Sequence, residues 1–126
     1  MSAAKDFPYV IEMEPKFKPL EVIDEKPLSD ANPPGRWWNQ TLCEVNDSLV
    51  RLAVIEGEYH WHKHENDDEF FYVLEGQLLM DIEGRTVELN PRQGVVVPKG
   101  AMHRPRAPKR TVMMMVETKN IVVTGN

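Results

Sequence analysis

The chain has 126 residues, enough for one domain that buries roughly two-thirds of the surface exposed by its unfolded form. It carries 15 lysine and arginine residues against 20 aspartate and glutamate residues, and the net charge of -5 repels a nucleic-acid backbone or an anionic lipid surface. The composition therefore argues against nucleic-acid and membrane partners. The first ten residues lack the apolar core of a secretory signal, and Cys43 is the only cysteine, so we expect a cytoplasmic protein with a buried free thiol.

Prolines dominate the beginning of the chain. Six of the ten lie within the first 36 residues, where they remove backbone donors and prevent a continuous helix or central strand. We therefore predict an irregular N-terminal arm over residues 1–36. Within it, FPYVI at 7–11 could form a short edge strand, either in its own sheet or swapped onto another subunit. Asn32-Pro33-Pro34-Gly35 is interpreted as a turn that starts the barrel, with a lid or recognition loop as the alternative.

From Trp37 onward we predict one all-β domain, residues 37–126. Short segments rich in β-branched and aromatic residues are separated by turn signals about every eight to twelve residues, which is typical of an antiparallel sandwich or barrel. These segments are 49–55, 69–74, 77–82, 86–89, 94–97, 111–117 and 120–123. Turns are predicted at Glu83-Gly84, Asn90-Pro91 and Pro98-Lys99-Gly100. No helical period of useful length is present.

The stretch HWHKH, residues 60–64, places three of the four histidines at alternate positions. In an extended segment alternate side chains share one face, so His60, His62 and His64 are predicted to point the same way. If that face is the barrel interior, the imidazoles converge where water is scarce. Neutral imidazole is the commonest protein ligand for a transition-metal ion.

Glu69 opens the next predicted strand, EFFYVL, which is apolar on both faces. We therefore expect this strand to be covered on both sides, and a carboxylate in such a place is costly unless it is paired or bound to a cation. The fourth histidine, His103, lies far along the chain at the start of another strand. It can return to the same spot only in a closed β fold.

These residues resemble the two sequence motifs of the cupin superfamily, over about residues 45–117. The motifs read Gly57-x4-His62-x-His64-x4-Glu69-x6-Gly76 and Pro98-x-Gly100-x2-His103. The resemblance implies a cupin jelly-roll β-barrel that binds one divalent metal ion through His62, His64, Glu69 and His103. One departure is that Arg92 stands where a glycine is expected six residues before Pro98, so we expect a different bend there. Within the superfamily the chain is similar to the small single-domain, mannose-6-phosphate-isomerase-like group.

The sequence is compatible with several metal ions and with several roles for His60. Histidine and carboxylate ligands without a thiolate suit Zn, Fe, Mn, Ni, Co or Cu and do not select among them. His60 could replace His62, add a fifth donor or carry protons; the family spacing to Glu69 instead favours His62 and His64, with His60 at the rim of the barrel. The alternative for the whole cluster is a hydrogen-bonded core group without metal.

The resemblance implies a metal-dependent enzyme that acts on a small polar substrate, sugar-like or an organic acid, by isomerisation, oxygenation or lyase chemistry. The alternative is a non-catalytic barrel that binds or senses a small molecule or a metal, with its cavity plugged by Phe71, Met80 and their neighbours. An interaction module is a third reading, and a homodimer is compatible with all three.

Two further groups of side chains are candidates for contact with a ligand. The pocket wall could include Trp38, Arg51, Tyr72, Gln77, Met80, Met113 and Met115, each of which also suits the core or the surface. A basic patch near the second motif could steer a phosphate or carboxylate, although we prefer a solvated edge as its interpretation; it comprises Lys99, Arg104, Arg106, Lys109 and Arg110.

Overall fold

The structure is a computed structural model that describes residues 9–32 and 37–126. Most of these residues lie in strands, which confirms the predicted all-β class. Pro33, Pro34 and Gly35 of the predicted turn lie outside the described residues. The elements in chain order are β1 Tyr9–Glu12, α1 Glu25–Asp30, β2 Trp37–Val45, β3 Ser48–Glu58, β4 Glu69–Glu75, β5 Leu78–Ile82, β6 Arg85–Leu89, β7 Gly94–Val97 and β8 His103–Thr118.

The strands form one sheet in the order β1-β2-β3-β8-β4-β7, from which β5 branches by pairing with β8 and β6 by pairing with β5. β1 runs parallel to β2 of the same chain, and the other pairings are antiparallel. Among the described residues these pairings do not close into a ring, an arrangement consistent with a jelly-roll barrel that stays open on one side. No helix in these two ranges has the length and apolar character that a membrane crossing requires.

The long strand β8 begins at His103 and continues into the barrel wall. Its second half pairs with β3 and β4, while its first four residues pair with β5, where His103 lies opposite Ile82. Pro108 lies between the two halves, and Pro105 lies within the first, so the missing backbone donors there allow the strand to change partners. As a result, His103 lies buried between Ile82 of β5 and His62.

The core lies on both faces of the central strands. Ile55 and Met113 face a barrel interior, while Val54 and Val112 face a second apolar cluster on the outside of the sheet. Phe17 and Leu28 of the arm and α1 pack against this outer cluster. The proline-rich arm therefore covers a sheet face that would otherwise expose apolar side chains to water.

Several local predictions need correction. The segment 120–123 is not a strand: after β8 the chain turns back and Ile121 is buried. β4 is not covered on both faces, because Phe70 on its outer side is 37% exposed. The helix α1 was not predicted; its Pro27 lies in the first turn, where backbone N–H groups have no partner within the helix.

The turn before β7 preserves a glycine-like bend without a glycine. Arg92 has a φ of 70°, in the left-handed region that L-residues seldom adopt. Its backbone N–H donates to the carbonyl of Val73 at 2.8 Å, which fixes that conformation. Arg92, which stands where the second cupin motif has a glycine, therefore keeps the positive φ that a glycine would adopt at this bend.

Candidate metal centre

The four residues singled out from the sequence come together in the barrel. His62, His64, Glu69 and His103 each offer one ligand atom, and these atoms all lie within 4.8 Å of one another. Nε2 of His103 lies 3.1 Å from Oε1 of Glu69, and Nε2 of His64 lies 3.3 Å from the same oxygen. All four side chains are buried. They form a group that could hold a metal ion.

Backbone hydrogen bonds position these side chains. His62 and His64 lie on the extended connection between β3 and β4, which forms a single bridge with β8. In this bridge the N–H of His62 donates to the carbonyl of His103 at 2.9 Å, and the N–H of His103 donates back at 2.8 Å. The N–H of Gly100 donates to the carbonyl of His64 at 2.8 Å. The connection is thus extended, as the alternation argument requires, without being a regular strand.

Acceptors on the far side of each imidazole set its tautomer. Nδ1 of His62 lies 3.0 Å from the carbonyl of His60, and Nδ1 of His103 lies 2.9 Å from the carbonyl of Ala101. Since a carbonyl can only accept, each of these Nδ1 atoms carries the hydrogen and each Nε2 presents a lone pair to the cluster.

Nδ1 of His64 lies 2.8 Å from Oδ1 of Asn126, and its Nε2 is buried without a hydrogen-bond partner. Lone pairs of Nε2 atoms that face a carboxylate oxygen repel it unless a proton or a cation lies between them. The donor set therefore fits a divalent transition metal.

The charge states also favour metal binding. Burial, helped by the neighbouring imidazole of His103, lowers the pKa of His62 to about 3. Burial opposes ionisation of Glu69, but the imidazoles of His103 and His64 beside it hold its pKa well below the usual range. Burial would lower the pKa of His64, whereas Glu69 raises it above the usual value. At neutral pH His62 is thus a neutral imidazole and Glu69 an ionised carboxylate, the forms that bind metal.

Glu117 is a buried acid beside the cluster that the sequence analysis does not single out. Burial and the charge of Glu69 raise its pKa well above the usual range, which favours its protonated form. Neither of its side-chain oxygens has a hydrogen-bond partner among the described residues. A sequence signal exists, because Glu117 alternates with Met113 and Met115 along β8 and so shares their inward face.

An internal cavity borders the cluster. Its free volume of about 20 Å³ accommodates one water molecule. Met113 and Met115 line it as predicted, but the remaining predicted wall residues do not. The lining residues are Trp37, Asn39, Ala53, Tyr59, His62, Glu69, Phe71, Pro105, Met113, Met115, Glu117 and Val123.

The other predicted wall residues have different roles. Trp38 faces the outer cluster and donates its indole N–H to Glu12, while Trp37 takes the place at the cavity. Gln77 bonds to Glu88 at the surface. Arg51 lies fully buried behind the wall, Met80 belongs to the barrel core, and Tyr72 is half-buried outside the cavity lining.

The predicted basic patch is largely neutralised. Arg104 and Arg106 both pair with Asp81, at 2.9 and 2.6 Å, and the guanidinium of Arg104 stacks over Trp61. Arg110 instead donates to the carbonyl of Ser29. These three arginines of the patch therefore already have partners within the chain.

His60 lies next to the cluster but outside it. Its Nε2 lies 2.6 Å from the carbonyl of Thr124, and its Nδ1 lies 3.2 Å from the hydroxyl of Tyr9. Both ring nitrogens are thus within hydrogen-bond distance of groups outside the cluster. Among the described residues, the only group with metal-ligand geometry is the set of four named above.

Comparison with known proteins gives a consistent result. The cupin domain family matches residues 48–119. Bacillus subtilis YdbB is 49% identical over 82 residues, 64% of this chain and 73% of YdbB. The Streptomyces cyaneus polyketide synthase CurC is 42% identical over 95 residues, 71% of this chain and 61% of CurC. The crystal structure of a cupin-2 domain containing protein from Shewanella frigidimarina matches with a TM-score of 0.72 at 31% identity, covering 77% of this chain and 94% of that one. The chain belongs to the cupin family.

Proposed function

We propose that this chain binds one divalent transition-metal ion through His62, His64, Glu69 and His103 and is a metal-dependent enzyme for a small polar substrate. The observation that supports this most directly is the convergence of imidazole Nε2 atoms and an ionised carboxylate, all buried, at the wall of a cavity. Such a donor set takes Zn, Fe, Mn, Ni, Co or Cu.

The residues around the cavity indicate what kind of substrate would fit. A bound ion would polarise a carbonyl or hydroxyl oxygen as a Lewis acid. Asn39 and Glu117 line the cavity and can hydrogen-bond to a polar substrate group, while Trp37 and Phe71 supply apolar wall. These features support a compact sugar-like compound or organic acid. Isomerisation, oxygenation and lyase chemistry are all compatible with such a site.

A second candidate function is a non-catalytic barrel that binds or senses a metal or a small molecule. The small cavity favours it, since a free volume of about 20 Å³ accommodates one water molecule. Phe71 forms part of the wall and Met80 is fully buried in the core beneath it. Under this alternative the metal ion itself would be the ligand, or a small molecule would enter only when the cavity widens.

The metal site is tested by elemental analysis of protein purified without a nickel column. The wild type should contain about one ion per chain, and His62→Ala and His64→Ala should contain none while keeping β-type circular dichroism. The matched control is His60→Ala, which removes an adjacent imidazole outside the cluster and should retain the ion. Unchanged metal in His62→Ala would contradict the assignment, and metal loss in His60→Ala would show that the wrong pair was chosen.

A ligand screen separates the enzyme from the binding barrel. Metal-loaded protein is melted in the presence of sugar phosphates, keto acids and aromatic acids, and each stabilising compound is then followed for conversion. Since one relative is named a polyketide synthase, polyketide-type aromatic acids belong in the screen. Metal-dependent conversion supports the enzyme. Stabilisation without conversion supports the binding barrel.

We also propose that the chain forms a homodimer in the cytoplasm. Leu20 and Val22, in the arm, are exposed at 103% and 86%, and such apolar side chains gain from burial against a second copy. The free Cys43 suits a reducing compartment. Light scattering coupled to size exclusion measures the oligomeric state, and a monomeric mass would contradict the dimer. Cell fractionation tests the location.

A further inference from the structure

The segment that follows β8 lies across the histidine-bearing connection. The hydroxyl of Tyr59 donates to the carbonyl of Val123 at 3.3 Å, and the N–H of Asn126 donates to the carbonyl of Lys63 at 2.9 Å. Between these two contacts, Gly125 packs so closely that an added Cβ would lie 2.9 Å from Cβ of His62. The segment is therefore docked on the metal side of the barrel by its backbone.

The three imidazoles of the cluster differ in how they are supported. Nδ1 of His62 and Nδ1 of His103 each bond to the backbone carbonyl two residues earlier, so the acceptor for each ring lies in the same local segment. His64 instead uses the side chain of Asn126, which lies 62 residues further along the chain. The orientation of this one imidazole thus depends on the docked segment.

We propose that Asn126 is a positioning residue for the metal site: its side-chain oxygen holds the hydrogen on Nδ1 of His64 and so presents Nε2 to the ion. This inference rests on the proposed metal site. It follows from the chemistry of the pair, because a histidine bound through Nε2 carries its hydrogen on Nδ1, and the amide oxygen of asparagine can accept it. Groups that fix a ligand in this way typically change metal affinity by about 10- to 100-fold when removed.

The chain offers a matched set of variants. Asn126→Leu removes the acceptor at similar size, and Asn126→Asp keeps an acceptor oxygen. Both retain the backbone hydrogen bond to Lys63, so the segment should stay docked. Asn120→Leu makes the same chemical change at an exposed position at the start of the same segment and serves as the control.

The experiment uses the full chain stripped of metal and titrated with Co²⁺. Affinity is measured by competition with a chelator, and the ligand field by the visible absorption of the bound ion. We expect Asn126→Leu to bind Co²⁺ about 10- to 100-fold more weakly, with an altered spectrum. Asn126→Asp and Asn120→Leu should match the wild type within a few-fold in affinity and in spectrum.

The outcomes separate this inference from the proposed function. If the wild type binds Co²⁺ at one ion per chain and Asn126→Leu matches Asn120→Leu in affinity and spectrum, Asn126 has no positioning role and the metal site stands. If Asn126→Asp is as weak as Asn126→Leu, the acceptor is not what matters and the inference also fails. If the wild type binds no Co²⁺, the proposed metal site fails, and the role of Asn126 fails with it.

Discussion

Nη1 of Arg51 lies 3.9 Å from Oε2 of Glu117, and neither side chain has any exposure to solvent. The same guanidinium donates to Oδ1 of Asn39 at 2.6 Å and to Oγ1 of Thr41 at 3.0 Å. The arginine on β3 thereby links polar side chains of β2 to an acid on β8, directly beneath the candidate metal ligands. The arginine thus places a positive charge beside Glu117 in the interior of the barrel.

Removing the guanidinium should destabilise the fold strongly. Arg51→Met leaves the buried side chains of Asn39 and Thr41 without their donor, and breaking a buried network of this kind costs about 3–5 kcal/mol. Denaturant unfolding of the metal-free protein measures the free energy of unfolding. The control is Arg85→Met on the exposed face of β6, which should change it by less than about 0.5 kcal/mol. Equal stability of the two variants would contradict a structural role for Arg51.

The metal-free protein should lose stability in acid partly because of His62. Its folded pKa of about 3 lies below the usual 6.5, so the unfolded chain takes up this proton first as the pH falls. The contribution of His62 is fully present above its unfolded pKa and is lost as the pH falls towards the folded pKa, at up to about 1.4 kcal/mol per pH unit. His64, whose pKa is raised, acts in the opposite sense.

The difference between wild type and His62→Gln therefore isolates the effect. Unfolding free energies of both metal-free proteins are measured across this acid range, and the variant should show the shallower decline. Parallel curves for the two proteins would mean that His62 is not held neutral by its burial.

Two glycines with nearly the same backbone conformation should differ sharply in tolerance to alanine. Gly76 and Gly84 have φ values of 85° and 84°, so each alanine adds strain of about 1 kcal/mol or slightly more. At Gly76 the new Cβ would also lie 2.5 Å from Oγ1 of Thr111 and 2.6 Å from a backbone carbonyl, whereas at Gly84 nothing lies within 4 Å. Gly76→Ala should therefore cost about 1–3 kcal/mol more in the free energy of unfolding. Equal losses would show that the close approach to β8 is not rigid.

Removing the metal should lower the melting temperature. An ion bound at a concentration about 100 times its dissociation constant adds about 2.7 kcal/mol to the folded state, and loss of that term lowers the midpoint by roughly 10 °C. Differential scanning calorimetry with and without a chelator measures the change. His62→Ala should melt at the same temperature in both conditions. A chelator effect of equal size in this variant would place the stabilising ion elsewhere.

Alternation of side chains along a strand is a local property, so the sequence alone could predict the strands and the faces of their residues. The alternation of His60, His62 and His64 indicated which side chains share a face, and the runs that became β3 to β8 were visible from their β-branched and aromatic residues. Resemblance to the cupin motifs added His103, whose return to the cluster depends on strand pairings that span the whole sheet.

β2 and the segment 120–123 show where local patterns fail. β2 contains Asn39, Gln40 and Thr41 at buried positions. In the sequence these polar residues resemble an exposed segment, because the hydrogen bonds from Arg51 to Asn39 and Thr41 are visible only in the structure. The run at 120–123 is β-branched but does not pair as a strand, because β propensity depends on neighbours that the sequence does not specify.

The sequence by itself determined the all-β class, which follows from residue type and a period of two along the chain, and the set of candidate ligands, which follows from the resemblance to the cupin motifs. Only the tertiary structure decided which groups surround those ligands. Glu117 meets Glu69, and Asn126 meets His64, across separations at which a chain without tertiary contacts has no preferred distance. The polar partners that set charge and tautomer are therefore consequences of packing, whereas the ligands could be named from the sequence motifs that the chain shares with cupins.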